Sequence, residues 1–181
     1  AIKVFIATLP ALIVGFIVYE YFIIYFRNLI VIAWASIIFS IILYLVDHRK
    51  SLNKKWMDLN YVEVFFIGLC QSLAFIPGAS RAGVCITGAR FLGVSRESSA
   101  IFSMLLSIPI ILASLSLSII DLFSIQSIAI NLFQPLFATC IACITALISI
   151  HFMMKILQFT NFNIFIIYRI ILGILLLIFY A

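Results

Sequence analysis

The 181-residue chain is 66% hydrophobic and only 9% charged, with a net charge of +5 and a mean hydropathy of +1.34. Soluble domains carry about 25% charged residues, so this composition excludes a water-covered globular surface and points to an integral membrane protein. Four of the eleven Lys and Arg residues gather in one loop, which makes them a topology signal, and no aromatic-interleaved basic surface is left for nucleic acid.

A spanning helix needs about 20 mostly apolar residues. The first predicted span covers 4–26 and contains Pro10, whose freed carbonyl a neighbouring helix can satisfy. Glu20 lies close enough to its end to snorkel. The second span covers 29–46. The loop from Asp47 to Asn60 holds His48, Arg49, Lys50, Lys54, Lys55 and Trp56, and its basic residues place it in the cytoplasm. The next segment, 61–94, reads as two short apolar pieces, 62–76 and 82–94, broken at Pro77-Gly78. Neither comfortably crosses about 30 Å of hydrocarbon. Three further spans follow at 99–120, 132–154 and 164–180.

Charge bias separates two readings of 61–94. As a re-entrant hairpin it keeps Lys3, Arg96 and Lys155 on the cytoplasmic side with the basic loop, leaving only Arg27 and the Asp121 loop outside. As a single crossing it moves Arg96 and Lys155 outside and weakens the bias. The hairpin is the better fit. The expected architecture is all-α: a polytopic membrane protein with five spans and one re-entrant hairpin, forming a single transmembrane domain over 1–181. The chain opens inside an apolar segment, Ala1-Ile2-Lys3-Val4, as a sequence that has lost an N-terminal portion would. Cys70, Cys85, Cys140 and Cys143 all lie in apolar runs. The Cys140/Cys143 pair has CxxC spacing but no nearby His or carboxylate, so packing is expected and a metal site is not.

The chemistry gathers at the hairpin apex, Pro77-Gly78-Ala79-Ser80-Arg81-Ala82-Gly83. A charge at the bilayer centre costs at least about 2.5–3.5 kcal/mol, and an anionic ligand is the most direct compensation. Pro77 stops the first half-helix and Gly78 permits the reversal. Ser80 is a suitable N-cap for the second half-helix, whose first amides and dipole favour an anion. Arg81 adds a planar fork matched to phosphate. The small residues Ala82 and Gly83 let a ligand approach the backbone. Two blander readings stand beside this one: Gly78, Ala79, Ala82 and Gly83 form a helix-packing patch, or Arg81 pairs with a carboxylate. No Asp, Glu or His is near the apex in sequence. Glu63, Glu97, His48 and His151 read as solvated or interfacial. Arg90 is expected to reach the interface near the hairpin exit. Arg169, inside the last span, is either a second charge at the cavity or a snorkelling arginine.

The stretch Ile67-Gly68-Leu69-Cys70-Gln71-Ser72-Leu73-Ala74-Phe75-Ile76-Pro77-Gly78-Ala79-Ser80-Arg81 resembles a signature of the undecaprenyl-diphosphate phosphatases, also called bacitracin-resistance proteins. So do Leu92 to Glu97, Phe102 to Pro109, Leu9-Pro10-Ala11 with Gly15, and Ile167-Tyr168-Arg169. The resemblance implies a bacterial inner-membrane enzyme that hydrolyses undecaprenyl diphosphate to undecaprenyl phosphate and inorganic phosphate. That reaction recycles the lipid carrier of cell-wall synthesis. It implies an inverted-repeat fold in which two re-entrant pairs meet at one site. It implies Ser80 and Arg81 as diphosphate-binding catalytic residues, with Gly78, Ala79, Gly83, Gln71, Thr87 and Ser103 around the substrate. A divalent cation, Mg or Ca, is implied as well. The resemblance also implies paired glutamates, a serine pair and a histidine that bind the cation and perform the chemistry; they have no counterpart here and are expected in an N-terminal part this sequence lacks. The family usually has Ser and Thr where this chain has Ala82 and Cys85. The expected partners are a polyprenyl diphosphate lipid and the membrane, with a homo-oligomer left open. A lipid-phosphate flippase or anion transporter, and a noncatalytic remnant, are the alternative functions.

Overall fold

The computed structural model describes residues 2–21, 28–48, 53–124 and 133–180. Among them are seven α-helices and no strand: α1 Ile2–Tyr21, α2 Leu29–Asp47, α3 Tyr61–Ser72, α4 Arg81–Phe91, α5 Arg96–Ser124, α6 Phe133–Phe159 and α7 Asn163–Tyr180. Four carry stretches long and apolar enough to cross a membrane: Leu29–Asp47, Arg96–Ile120, Pro135–Leu157 and Asn163–Tyr180. The protein is therefore an all-helical, polytopic membrane protein. The first predicted span is helical, but its described apolar stretch, Ile2–Ile17, is shorter than these four. Residues 22–26, Arg27, Arg49 and Lys50, and the side chains of Glu20 and Asp121, lie outside the described residues.

The segment after α2 folds back on itself. Asn60 caps α3 by accepting from the Glu63 amide at 2.8 Å, while the Glu63 carboxylate accepts from the Asn60 amide at 2.8 Å. This reciprocal box satisfies two orphan amides. The helix tightens into a 3-10 turn at Leu73–Phe75, and Ile76 is extended, as a residue before proline must be. Gly78 then turns the chain at φ +92°. The contacts of α4 with α3 run in reverse order. Cys85 Sγ donates to Gln71 at 3.2 Å, Gly88 sits against Cys70 and Ile67, and Phe91 meets Phe66 with ring centroids 6.0 Å apart. At the open end the Ser95 amide donates to the Lys54 carbonyl at 2.9 Å. The chain thus leaves the hairpin beside its point of entry. Twelve α-helical and three 3-10 residues reach about 24 Å, short of the roughly 30 Å hydrocarbon thickness.

The described residues divide into two compact units, Ala1–Ile110 with Asn161–Ala181, and Ile111–Thr160. In the first, the core is Ala7 of α1, Val64 and Ile67 of α3, Val84, Cys85 and Ala89 of α4, and Phe102 and Leu106 of α5, joined by Leu59 and Val94. Small residues let backbones touch: a Cβ at Gly68 would stand 2.3 Å from the Ala7 carbonyl oxygen, and one at Gly173 of α7 would stand 2.9 Å from that of Ala33 on α2. Such close approach is how helices pack where surrounding lipid removes the hydrophobic drive. In the second unit, α6 is exposed over most of its length and apolar all round, a surface suited to hydrocarbon. Cys140 and Cys143, read from sequence as thiols in an apolar, lipid-facing run, lie on this exposed surface as free thiols.

Two sequence expectations about charge are corrected. Arg90 does not reach an interface: its side chain is 2% exposed and pairs with the fully buried Asp47 at 3.0 Å. Asp47, assigned from sequence to the polar loop, is the last residue of α2. Gly93, at φ +84°, reverses the chain after α4, and its amide bonds the Arg90 carbonyl at 2.9 Å. Arg96 also reaches Asp47, at 2.9 Å. Glu63, read as solvated or interfacial, stays partly exposed and pairs with Lys54 at 2.6 Å. Trp56 is partly buried, stacked on Phe102 with centroids 5.4 Å apart.

Candidate functional site

The hairpin apex consists of a turn and a helix start, gripped by α2 and α7. The turn lies hard against α2. A Cβ on Gly78 would stand 2.3 Å from the Ile32 carbonyl oxygen, and Ser36 Oγ donates to the Gly78 carbonyl at 3.2 Å. Gly78→Ala is therefore expected to lower the denaturant midpoint of the protein in micelles by the equivalent of at least about 2 kcal/mol. A left-handed backbone costs a non-glycine residue about 1–2 kcal/mol, and the α2 backbone has no room to retreat. An unchanged midpoint would contradict this packing.

Ala79 is fully buried and its amide closes the turn onto Ile76 at 3.1 Å. Ser80 follows at φ +65°, the sole non-glycine residue with positive φ among those described. Non-glycine residues held this way cost energy and concentrate at functional sites. The strain aims the Ser80 hydroxyl back over the helix start, where it accepts from the Gly83 amide at 3.2 Å. Arg81 and Ala82 are the first two residues of α4, and their amides point from the helix start without a partner among the described residues. Ser103 of α5 donates to the Ala82 carbonyl at 3.3 Å, fixing that first turn from behind. The Arg81 side chain is half-buried and forms no hydrogen bond or ion pair among the described residues. The carboxylate-pairing alternative for Arg81 thus has no support there. The site offers a free guanidinium, a serine hydroxyl and two helix-start amides, all donors, which is an arrangement for an oxyanion.

Arg169 of α7 joins from the far end of the sequence. Its Nη2 donates to the carbonyls of Gly78 and Ala79 at 2.7 and 2.9 Å. This side chain is tied to the apex rather than snorkelling.

Two of the expected substrate-binding residues stand elsewhere. Gln71 is 1% exposed, locked inside the hairpin with its carbonyl accepting from Cys85, while its Nε2 is buried without a partner. Thr87 donates to the Gly83 carbonyl at 2.7 Å and lines an apolar cavity of about 200 Å³ shared with Phe39, Cys70, Val84 and Phe91. Its place two helical steps past Cys85 turns it toward α2 and α3. Gly78, Ala79, Ser80, Arg81 and Gly83 fall within six consecutive residues, so their meeting required only the hairpin turn. Ser36 and Arg169 were missed as partners of the turn. A serine within an otherwise apolar span was the available signal for Ser36.

The family model for "Bacitracin resistance protein BacA" matches residues 1–175. The undecaprenyl-diphosphatase of Aliivibrio salmonicida is 37% identical over 171 residues, 94% of this chain and 63% of that protein. That of Elusimicrobium minutum is 42% identical over 172 residues, 94% of this chain and 64% of that protein. Undecaprenyl-diphosphatase 2 of Stutzerimonas stutzeri is 36% identical over 181 residues, 98% of this chain and 67% of that protein. The chain spans just under two thirds of the length of the first two relatives.

Proposed function

This chain belongs to the bacitracin resistance protein family BacA, and from that premise we propose that it serves the hydrolysis of undecaprenyl diphosphate to undecaprenyl phosphate and inorganic phosphate. The relatives named undecaprenyl-diphosphatase support the substrate. The observation that carries the reading to particular residues is Arg81, uncompensated by any carboxylate among the described residues, beside the strained Ser80 at the start of α4. In the bacterial plasma membrane the hairpin would enter and leave by one face, holding this apex within the bilayer where a lipid headgroup can reach it.

Hydrolysis joins a water oxygen to the terminal phosphorus and breaks its bond to the bridging oxygen, leaving the lipid monophosphate. Negative charge builds on the phosphoryl oxygens and on that bridging oxygen. The Arg81 fork, the Ser80 hydroxyl and the amides of Arg81 and Ala82 are fixed donors for those oxygens, and fixed donors need no reorganisation as charge develops.

Diphosphate hydrolysis generally draws on a divalent cation to spread charge. The residues described here do not fit one. They gather no three His, Cys, Asp or Glu side chains, and Asp47 and Glu63 are committed to Arg90, Arg96 and Lys54. We place the ligands of that cation in the part of the relatives' length that this chain does not match.

The test is phosphate release from a prenyl diphosphate by the full-length protein in nanodiscs, alongside transport of the same labelled lipid across vesicles. Phosphate release is the expected result. Lipid movement without phosphate release would replace this reading with a flippase or transporter.

A further inference from the structure

We propose that Arg169 is a second anion-contacting residue of the apex, fixing the turn with one nitrogen and meeting the second phosphoryl group of the ligand with another; this rests on the apex being a diphosphate site. The guanidinium is half-buried, and no carboxylate pairs with it among the described residues. An intramembrane charge without a counter-ion is a functional group by default. Nη2 spends both its hydrogens on the Gly78 and Ala79 carbonyls, and carbonyl contacts do not cancel a positive charge.

Nη1 remains, and its position is informative. The point where a Cβ of residue 83 would stand is 2.9 Å from Arg169 Nη1 and 3.3 Å from Ser80 Oγ. Glycine keeps that point open. One charged donor and one hydroxyl therefore border the same atom-sized space, over the first turn of α4 and beside the free amides of Arg81 and Ala82. A diphosphate carries more charge than a monophosphate and spreads it over two phosphoryl groups. Two guanidiniums then serve the two groups: the Arg81 fork at the helix start, and Arg169 through its remaining nitrogen Nη1. A cradle with Arg81 alone would discriminate poorly between substrate and product phosphate.

Inorganic diphosphate and orthophosphate can be titrated by calorimetry into the full-length protein in nanodiscs, as wild type and as Arg169→Gln, Arg169→Lys, Gly83→Ala and Arg81→Ala. Loss of one charge-assisted contact should weaken diphosphate binding by about tenfold or more in Arg169→Gln, with a smaller effect on orthophosphate. Lys keeps the charge but not the fork, and should fall between. Gly83→Ala should improve the helix and weaken the ligand, because its methyl group meets the flexible end of Arg169 and not backbone. If wild type binds neither anion, the apex reading fails and this proposal with it. If Arg81→Ala abolishes binding while Arg169→Gln and Gly83→Ala bind as wild type, the apex reading stands and Arg169 is not a contact. Equal loss of both anions in Arg169→Gln would reduce Arg169 to a brace for the turn and overturn its assignment to the second phosphoryl group. Should Arg169→Gln fail to elute as a folded particle, Arg169→Lys and Gly83→Ala decide, and unchanged diphosphate affinity in both overturns the proposal.

Discussion

If the proposed function holds, replacement of Arg81 by Ala in the full-length protein is expected to lower turnover of a prenyl diphosphate by about 2.7–4 kcal/mol of transition-state stabilisation, the range seen when one fixed oxyanion donor is removed. The protein should remain folded, because the Arg81 side chain makes no hydrogen bond or ion pair among the described residues. The two effects are separable by following phosphate release at saturating and limiting lipid together with the size-exclusion profile. Arg81→Lys should also fall well short of wild type. Its ammonium supplies charge at one point, whereas a phosphoryl group in flight presents several oxygens to a planar fork. Unchanged kinetics in Arg81→Ala would remove the central residue from the site. Full activity in Arg81→Lys would leave the charge but discard the geometry.

The hairpin was legible in sequence because three independent local signals agreed. Pro77-Gly78 broke the helix, each half was too short to span, and the basic loop fixed the entry side. Ser80 as the helix cap was legible for the same reason: capping needs only a hydroxyl three residues from an amide, here Gly83. The boundaries of α2 and α7 fell within a residue of expectation, since apolar length alone decides them. What could not be read was anything set by three-dimensional return. Arg169 lies 91 residues from Gly78, and no pattern along the chain states which carbonyls it will find. Gln71 shows the converse. The family resemblance implied a substrate contact for it, but its position in α3 turns it onto Cys85. Thr87, too, satisfies its hydroxyl on its own helix through the preceding turn, the habit of hydroxyl side chains in apolar surroundings.

The same blindness to long-range pairing hid the most consequential stabilising contact, and Asp47→Ala should expose it. Asp47 closes α2 with its carboxylate wholly buried, accepting from Arg90 Nε at 3.0 Å and from Arg96 Nε at 2.9 and 3.1 Å. Its backbone carbonyl accepts from Arg90 Nη2 at 3.1 Å, and Arg90 Nη1 donates to the Val94 carbonyl at 2.8 Å. One carboxylate thus joins the end of α2, the end of α4 and the start of α5 at the hairpin mouth. Removing it strands the Arg90 guanidinium, 2% exposed, with no counter-charge. Breaking one side of such a pair costs about 3–5 kcal/mol, mostly from the charge left behind. Arg96 suffers less, since its side chain is 29% exposed and can turn to water. The cost therefore belongs chiefly to Arg90, and a double substitution can prove it. Asp47→Ala combined with Arg90→Met removes the stranded charge while keeping most of the volume, and should recover much of the lost stability in a denaturant titration in micelles. Additive losses in the double variant would mean that the two side chains act separately, and the hairpin mouth would then be held by packing rather than by this ion pair.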